Sequence, residues 1–439
     1  MKGISFLRSF KAIIQLVLGT DQFVKPDVSF DPDTMIITIS CQLPKSCQSR
    51  CSKCNRKSPG YDSGRGTRKW RAMDIGAAKV FVETKAPRVK CKEHGVVVCA
   101  IPWARYNSRF VKNFEEQVTW LTTHTSKKVV SELMRIEWHT TGDICGRVYS
   151  ELEKTAPNRF DGLVNIGIDE TSYKKGHKYM TIVVNHDTNS VIWCHDKHGK
   201  EVLSEFFELL TPEQRESIKC VSADGARWIA SCIEEYCPNA ERCVDPFHVV
   251  SWAQDVMDSE RRAIWSEVNK QAKAAPKRSK GRPKKGEVVN VERKLATSLK
   301  GMRFALWKNP ENLTNYQRDQ LNFVAESNPK LHKAYLLKEG LRLAISAGPD
   351  DIEQALNAWM SWAQRCRIPS FVKLRAKIKR HYDAIIASAR HGLSNARIEA
   401  TNNKIKLLIR TAYGFKNLDN LFALIMLSCS NVKPTLPGR

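Results

Sequence analysis

Two short pairs, "CSKC" at residues 51–54 and "CKEH" at 91–94, constrain the fold more than anything else in the chain. Each pair leaves two residues between its potential ligands. The stretch between them reads as a Gly-, Ser- and Arg-rich loop and two strands, "KWRAMDI" and "AKVFVETKAPRVKC". Thiolate and imidazole are donors that Zn²⁺ prefers, and ligand pairs at opposite ends of a β hairpin can close one tetrahedron, as in zinc ribbons. The expectation is a small metal-stapled β module over residues 41–105, with Cys51, Cys54, Cys91 and His94 as ligands and Cys47 or Cys99 as substitutes. Reduced, unliganded cysteines in a basic loop are the plain alternative. Cys41 belongs to the same crowd, whereas the later cysteines sit in apolar segments, as buried thiols do. That distribution suits a reducing compartment with one metal site better than a disulfide framework.

At about 100–200 residues per domain, a chain of 439 residues holds two to four domains. Its 71 Lys and Arg exceed its 46 Asp and Glu by 25 charges, which points to a polyanionic partner. An anionic membrane would also attract that charge. The longest apolar stretches, such as "LFALIML" at 421–427, fall far short of the roughly 20 residues that span a bilayer, so no membrane role is expected. The first twenty residues faintly resemble a signal peptide, but Gln15 interrupts the apolar run and no small-residue cleavage site follows. Export is not expected.

Residues 1–40 read as a short helix and a strand, "TMIITIS". Residues 106–158 hold three helical patterns. "SRFVKNFEEQVTWLTTH" spaces Phe110, Phe114, Val118 and Leu121 for one helix face, and "TSKKVVSELMRI" and "TTGDICGRVYSELEK" each begin at a Thr or Ser cap. In a basic protein this suggests a helix-turn-helix whose last helix, near 141–154, enters a DNA groove, with Arg147 among the contacts. Plain helical hairpins share the pattern. Near residue 159 the period changes: "LVNIGIDE", "KYMTIVVNHD" and "SVIWCHDK" read as consecutive antiparallel strands, followed by a β-α-β stretch to about 251. The expected fold class is multidomain α/β, with a mixed sheet core.

Residues 252–390 are almost wholly helical apart from the linker 273–290, "KAAPKRSKGRPKKGEVVN". From Lys273 to Lys285 it has no apolar anchor larger than Ala and cannot form a core. Its "KGRPKK" centre resembles an AT-hook, in which Lys280, Arg282, Lys284 and Lys285 would follow the minor groove of A·T-rich DNA. A solvated linker that binds phosphates without preference is the alternative.

Asp169 closes the first strand pattern, Asp224 follows "VSA" and Asp245 follows "RCV", so all three fall at strand ends where sites in α/β sheets gather. A strand stopping on Asp is ordinarily just a turn. A fourth acid, Glu399, lies on a helical pattern with Asn402, Asn403, Lys406 and Arg410 on its face and Ile398, Ile405 and Leu408 away from it.

From about Cys51 to Leu427 the chain resembles DDE transposases of the ISL-three insertion-sequence family, through "GIDE", "SADG", "DPFHVV", "KGMRFALWKNPENLT" and "SNARIEATNNKIK…RTAYGFKN" in that order. The resemblance implies a ribonuclease-H-like core, 159–251 and 391–439, interrupted by a helical insertion, 252–390. It implies Asp169, Asp224 and Glu399 as a triad holding two Mg²⁺ or Mn²⁺ ions, with Asp245 and His248 as an auxiliary D-x-x-H element. It further implies DNA contacts from Asn402, Lys406 and Arg410, terminal-repeat and target DNA as partners, at least a homodimer, and a bacterial cytoplasmic, nucleoid-associated setting. Carboxylates a few ångströms apart repel unless a hard cation neutralises them, and a two-metal site performs in-line displacement at phosphorus without a covalent protein nucleophile. His94 stands where relatives often have Cys, and the linker is more AT-hook-like than the family requires. A DNA-binding regulator with an inactive core and a nuclease of the same fold are the rival readings.

Overall fold

A computed structural model describes residues 2–174, 176, 178–274, 291–393 and 396–438. The linker residues Lys280, Arg282, Lys284 and Lys285 lie outside the described residues. The chain divides into two compact units, one of residues 1–159 with 403–439 and the other of residues 160–402.

In the first unit, strand Ile36–Gln42 pairs antiparallel with Val24–Asp31 and parallel with Lys79–Lys85, which in turn pairs with Thr67–Arg71. Segments 1–40 and 41–105 therefore share one sheet. Lys79–Lys85 shows the two-residue period of a half-buried strand, with Val80 and Val82 fully buried. The expected single strand "AKVFVETKAPRVKC" is broken at Ala86-Pro87, because proline has no N–H to continue the ladder. Its second half, Arg88–Cys91, joins a separate three-stranded sheet with Gly60–Asp62 and Gly95–Val98.

Three helices follow, Lys112–His124, Lys127–Met134 and Trp138–Thr155. Ser126 caps the second, its Oγ accepting from the Val129 N–H, and Arg135 ends it in the left-handed region at φ 52°. The third does not start at a Thr cap. It opens at Trp138, and the Thr141 hydroxyl donates back to the Trp138 carbonyl from inside the helix. Helix Leu418–Cys429 packs on this third helix. Asn420 lies against Gly142, where a Cβ would come within 2.7 Å of its amide, and donates to Asp143 at 3.2 Å. Of the segment 391–439 expected as the last piece of the core, residues 403–439 fall in the first unit, where Leu418–Cys429 packs.

The second unit is built on a five-stranded sheet in the order Ser190–Asp196, Lys178–Asn185, Asn165–Lys174, Cys220–Ala223, Glu241–Val244. The first three strands are antiparallel and the last two parallel to Asn165–Lys174. This is the ribonuclease-H-like arrangement that was expected. Ile166, Ile168, Val221 and Ala223 point to one face and pack with Val202, Phe206, Phe207 and Ile229 of helices Lys200–Glu208 and Arg227–Tyr236. The insertion begins with the 29-residue helix Pro246–Ala274 and runs through helices to Tyr382–His391. It gathers its own core, including Met257, Leu299, Leu341, Trp359 and Phe371. Its turns are encoded locally: Thr314 and Gln317 form a reciprocal capping box, and Asn328 caps a helix that opens on Pro329. No helix among the described residues is long and apolar enough to cross a membrane.

Candidate metal centre and aspartate row

Cys51 and Cys54 sit in the turn after a short helix, and Cys91 and His94 in the tight turn joining Arg88–Cys91 to Gly95–Val98. Their donor atoms all lie within 4.8 Å of one another, the one such group of three or more His, Cys, Asp or Glu side chains among the described residues. Cys54 Sγ and Cys91 Sγ are 3.8 Å apart, Cys51 Sγ and His94 Nδ1 3.8 Å, and Cys91 Sγ and His94 Nδ1 3.6 Å. A zinc tetrahedron with Zn–S near 2.3 Å and Zn–N near 2.05 Å has edges of about 3.6–3.8 Å, so the donors fit Zn²⁺. Backbone N–H groups of Glu93 and His94 bring the Cys91 thiol down to about 6, which favours the thiolate a metal needs. Cys47 and Cys99 stand outside the group: Cys47 donates to Gln22, and burial pushes Cys99 up to about 11.

Asp169 does not end its strand, which continues to Lys174 through the hairpin with Lys178–Asn185. What ends near it is the parallel ladder: Gly167 pairs with Ser222, and Ala223 with Val244. Continuing that register places Asp169, Asp224 and Asp245 in one row on three neighbouring strands, spaced about 4.8 Å apart. The alternation of side chains puts all three on the face opposite Ile166 and Ile168. That face is met by the first turns of the late helix, residues 396–402, which come so close that a Cβ on Gly167 would lie 2.2 Å from Ile398 Cδ1; His186 Nε2 would be 2.6 Å away. His186 itself is held at 2.6 Å from the Ser222 hydroxyl.

One turn after Ile398, Asn402 donates from Nδ2 to Asp169 Oδ2 at 2.6 Å. Asn402 is only 5% exposed and its Oδ1 has no partner, so it belongs with Ile398 and Ile405 on the buried stripe and not with a solvated polar face. Glu399 is exposed, one turn before Asn402 on the same helix, and Lys406 and Arg410 are exposed further along. Glu399 is not drawn into a donor cluster with Asp169 and Asp224. Burial pushes the Asp169 carboxyl up and the Asp224 charge adds to this, against the Glu170 N–H, His248 and Asn402. Burial likewise raises Glu170, which feels both aspartates and is opposed by His198, 3.4 Å away. Buried oxygen donors that repel one another suit a hard divalent cation. Asp245 is buried, its Oδ1 accepting from the Phe247 N–H, and His248 Nε2 lies 3.9 Å from Asp245 Oδ2.

Arg147, expected among the DNA contacts, is paired within the first unit. Its Nε and Nη2 donate to Glu115 Oε1 at 2.8 and 2.6 Å, and Arg105 approaches the other oxygen of the same fully buried carboxylate at 3.3 Å. A buried carboxylate requires such partners, and this requirement fixes the guanidinium. Sequence reasoning did not find Glu170, nor Arg242, which donates to the Asp224 carbonyl at 3.3 Å. Glu170 adjoins Asp169 and was visible. Arg242 reads only as a polar residue on a short strand.

The chain matches the model described as "Transposase" for the ISL3 family over residues 166–425. Models for the zinc finger of transposases IS204/IS1001/IS1096/IS1165 and for the helix-turn-helix domain of transposase family ISL3 match residues 48–94 and 99–149. Two relatives, each named as the transposase for insertion sequence element IS1557 and each from a strain of Mycobacterium tuberculosis, are 46% identical over 438 residues, covering 99% of this chain and 98% of theirs. The transposase for insertion sequence element IS1001 of Bordetella parapertussis is 24% identical over 389 residues, 88% of each chain.

Proposed function

Because the chain belongs to the ISL3 family of insertion-sequence transposases, we propose that it binds the terminal inverted repeats of its own element, cuts DNA there to expose 3′-hydroxyls and joins them to target DNA. The observation that carries this reading is the row of Asp169, Asp224 and Asp245 met by Asn402 of a late helix. Asp169, Asp224 and Glu399 would hold Mg²⁺ or Mn²⁺, which would neutralise charge at phosphorus and activate a water or a 3′-hydroxyl. Asn402 orients the Asp169 carboxylate through its amide, and Asp245 with His248 flank the row and position the strand. The Cys51, Cys54, Cys91 and His94 centre is structural. The zinc and helix-turn-helix segments, 40–155, select the repeat, while dispersed Lys and Arg, with Lys406, Arg410 and the linker cations Lys280, Arg282, Lys284 and Lys285, hold phosphates. Two ends must be handled together, so the working form is at least a homodimer, on the nucleoid in the bacterial cytoplasm.

A nuclease of the same fold would cut without joining. The test is to incubate the purified chain and Mg²⁺ with a labelled duplex carrying the inverted repeat that flanks its gene and a supercoiled target. The expected result is a nick at the repeat end and a covalently joined product; cutting with no joined product would favour the nuclease.

A further inference from the structure

Three elements of the second unit bring cations to the turn at Asp224-Gly225. Arg242, on strand Glu241–Val244, donates to the Asp224 carbonyl, and its Nε is buried without a partner. Arg227 opens helix Arg227–Tyr236, and Lys377 and Arg380 lie in the last turns of helix Pro369–Arg380. Among the described residues none of the four forms an ion pair within 4.0 Å. Trp252 of helix Pro246–Ala274 packs against this turn: the Lys377 ammonium is 3.5 Å from its ring centroid, the His381 ring 5.3 Å, and a Cβ on Gly225 would lie 2.5 Å from its edge. His381 is 9% exposed, its Nδ1 has no partner, and its Nε2 faces the turn, 3.7 Å from where that Cβ would be.

Burial pushes His381 down to about 4, and the charges of Arg242, Lys377, Arg380 and Arg227 add to this. Asp224 turns its Oδ1 to the Ala226 N–H and its carbonyl to Arg242, and its charge acts on Arg242 and Lys377. A buried guanidinium N–H without a partner is costly until an acceptor oxygen completes it. A guanidinium fork beside an ammonium suits carboxylate or phosphate oxygens, and a DNA substrate supplies phosphate.

We propose that Arg227, Arg242, Lys377 and Arg380, with His381, form a phosphate-binding subsite beside Asp224 that takes one phosphodiester of the DNA strand entering the aspartate row. The proposal rests on the transposase reading above. It gives that site a fixed register: one backbone phosphate is gripped a short distance from the phosphorus that reacts, and the base attached to it is not read.

The test uses the full zinc-loaded chain and repeat-end duplexes in which a single neutral methylphosphonate replaces each phosphate near the cut in turn, with affinity measured without added Mg²⁺ or Mn²⁺ so that no cleavage intervenes. The parent should lose about tenfold in affinity at one or two consecutive positions near the cut, as expected for one charged contact. Lys377→Gln/Arg380→Gln, altered only in helix-end side chains, should bind natural DNA about tenfold more weakly, show no further loss at those positions and keep the parent's sensitivity elsewhere. Arg242→Gln should give the same pattern; should it not fold, the double variant decides. A double variant as sensitive as the parent at every position, or a parent with no sensitive position near the cut, overturns the subsite. If that happens while the parent still cuts repeats with Mg²⁺, the subsite alone fails; a parent that neither prefers nor cuts repeats removes the transposase reading as well.

Discussion

A side chain at Gly167 would collide with Ile398 and His186, so this glycine sets how closely the late helix approaches the aspartate row. Gly167→Ala should cost about 1–3 kcal/mol of stability by overpacking, measured as a lower urea midpoint at unchanged slope. Ile398→Val removes the nearest colliding atom and should restore part of that loss. One turn further along that helix, Asn402 donates to the Asp169 carboxylate. Asn402→Ala should leave repeat binding as it is and lower cleavage about 10–100-fold, the usual effect of removing a group that orients a ligand; weaker binding in parallel would return Asn402 to a DNA-contact role. At this scale the sequence is legible where chemistry and position coincide. Asp169, Asp224 and Asp245 each follow a strand pattern, whereas Asn402 reads as one more polar residue in "ATNNKIK" until its burial is known. Arg147 misleads for the converse reason: its partner Glu115 lies 32 residues earlier, and no local pattern marks a carboxylate as fully buried.

Among the elements, the zinc turns and the third helix of the first unit are the ones whose loss should be most visible. The paired turns hold the three-stranded sheet through one ion, and its longest strands have only four residues. Chelation with a strong zinc ligand should therefore release one equivalent of zinc and unfold the three-stranded sheet of Gly60–Asp62, Arg88–Cys91 and Gly95–Val98, read by circular dichroism and protease cleavage of the full chain. An unchanged cleavage pattern in zinc-free protein would contradict the assignment. Helix Trp138–Thr155 depends on the Arg105, Glu115 and Arg147 group. Arg147→Gln should destabilise the first unit by roughly 3 kcal/mol, because it strips a donor from a buried carboxylate, and base preference should be retained in the protein that remains folded. Element boundaries were legible where a local signal exists, as at Ser126, and missed where the competing signal is equally local. Pro87 splits a run of strand formers, and Thr141 bonds inside the helix it was expected to cap.

For the molecule as a whole, the order of parts could be read from changes of period and from charge: paired ligands, three helices, a mixed sheet, a long helical insertion. What could not be read is the division of the last segment. "LFALIML" is apolar on every side and carries no mark of which unit it covers, and only tertiary packing puts Leu418–Cys429 against Trp138–Thr155. The cation cluster around Asp224 escaped for a similar reason, since "KIKRH" reads as the solvated end of a helix. The central claim, that Asp169, Asp224 and Glu399 make this chain an enzyme and not a regulator, is met most directly by measuring cleavage and repeat affinity together for Asp169→Asn, Asp224→Asn and Glu399→Gln. Each substitution keeps shape and removes one negative charge, so each should bind repeat DNA about as tightly as the parent and lose Mg²⁺-dependent cleavage and strand transfer by several orders of magnitude. Asp245→Asn should be milder. Cleavage that survives all three substitutions, or a parent that binds repeats and never cuts them with Mg²⁺ or Mn²⁺, would contradict the account.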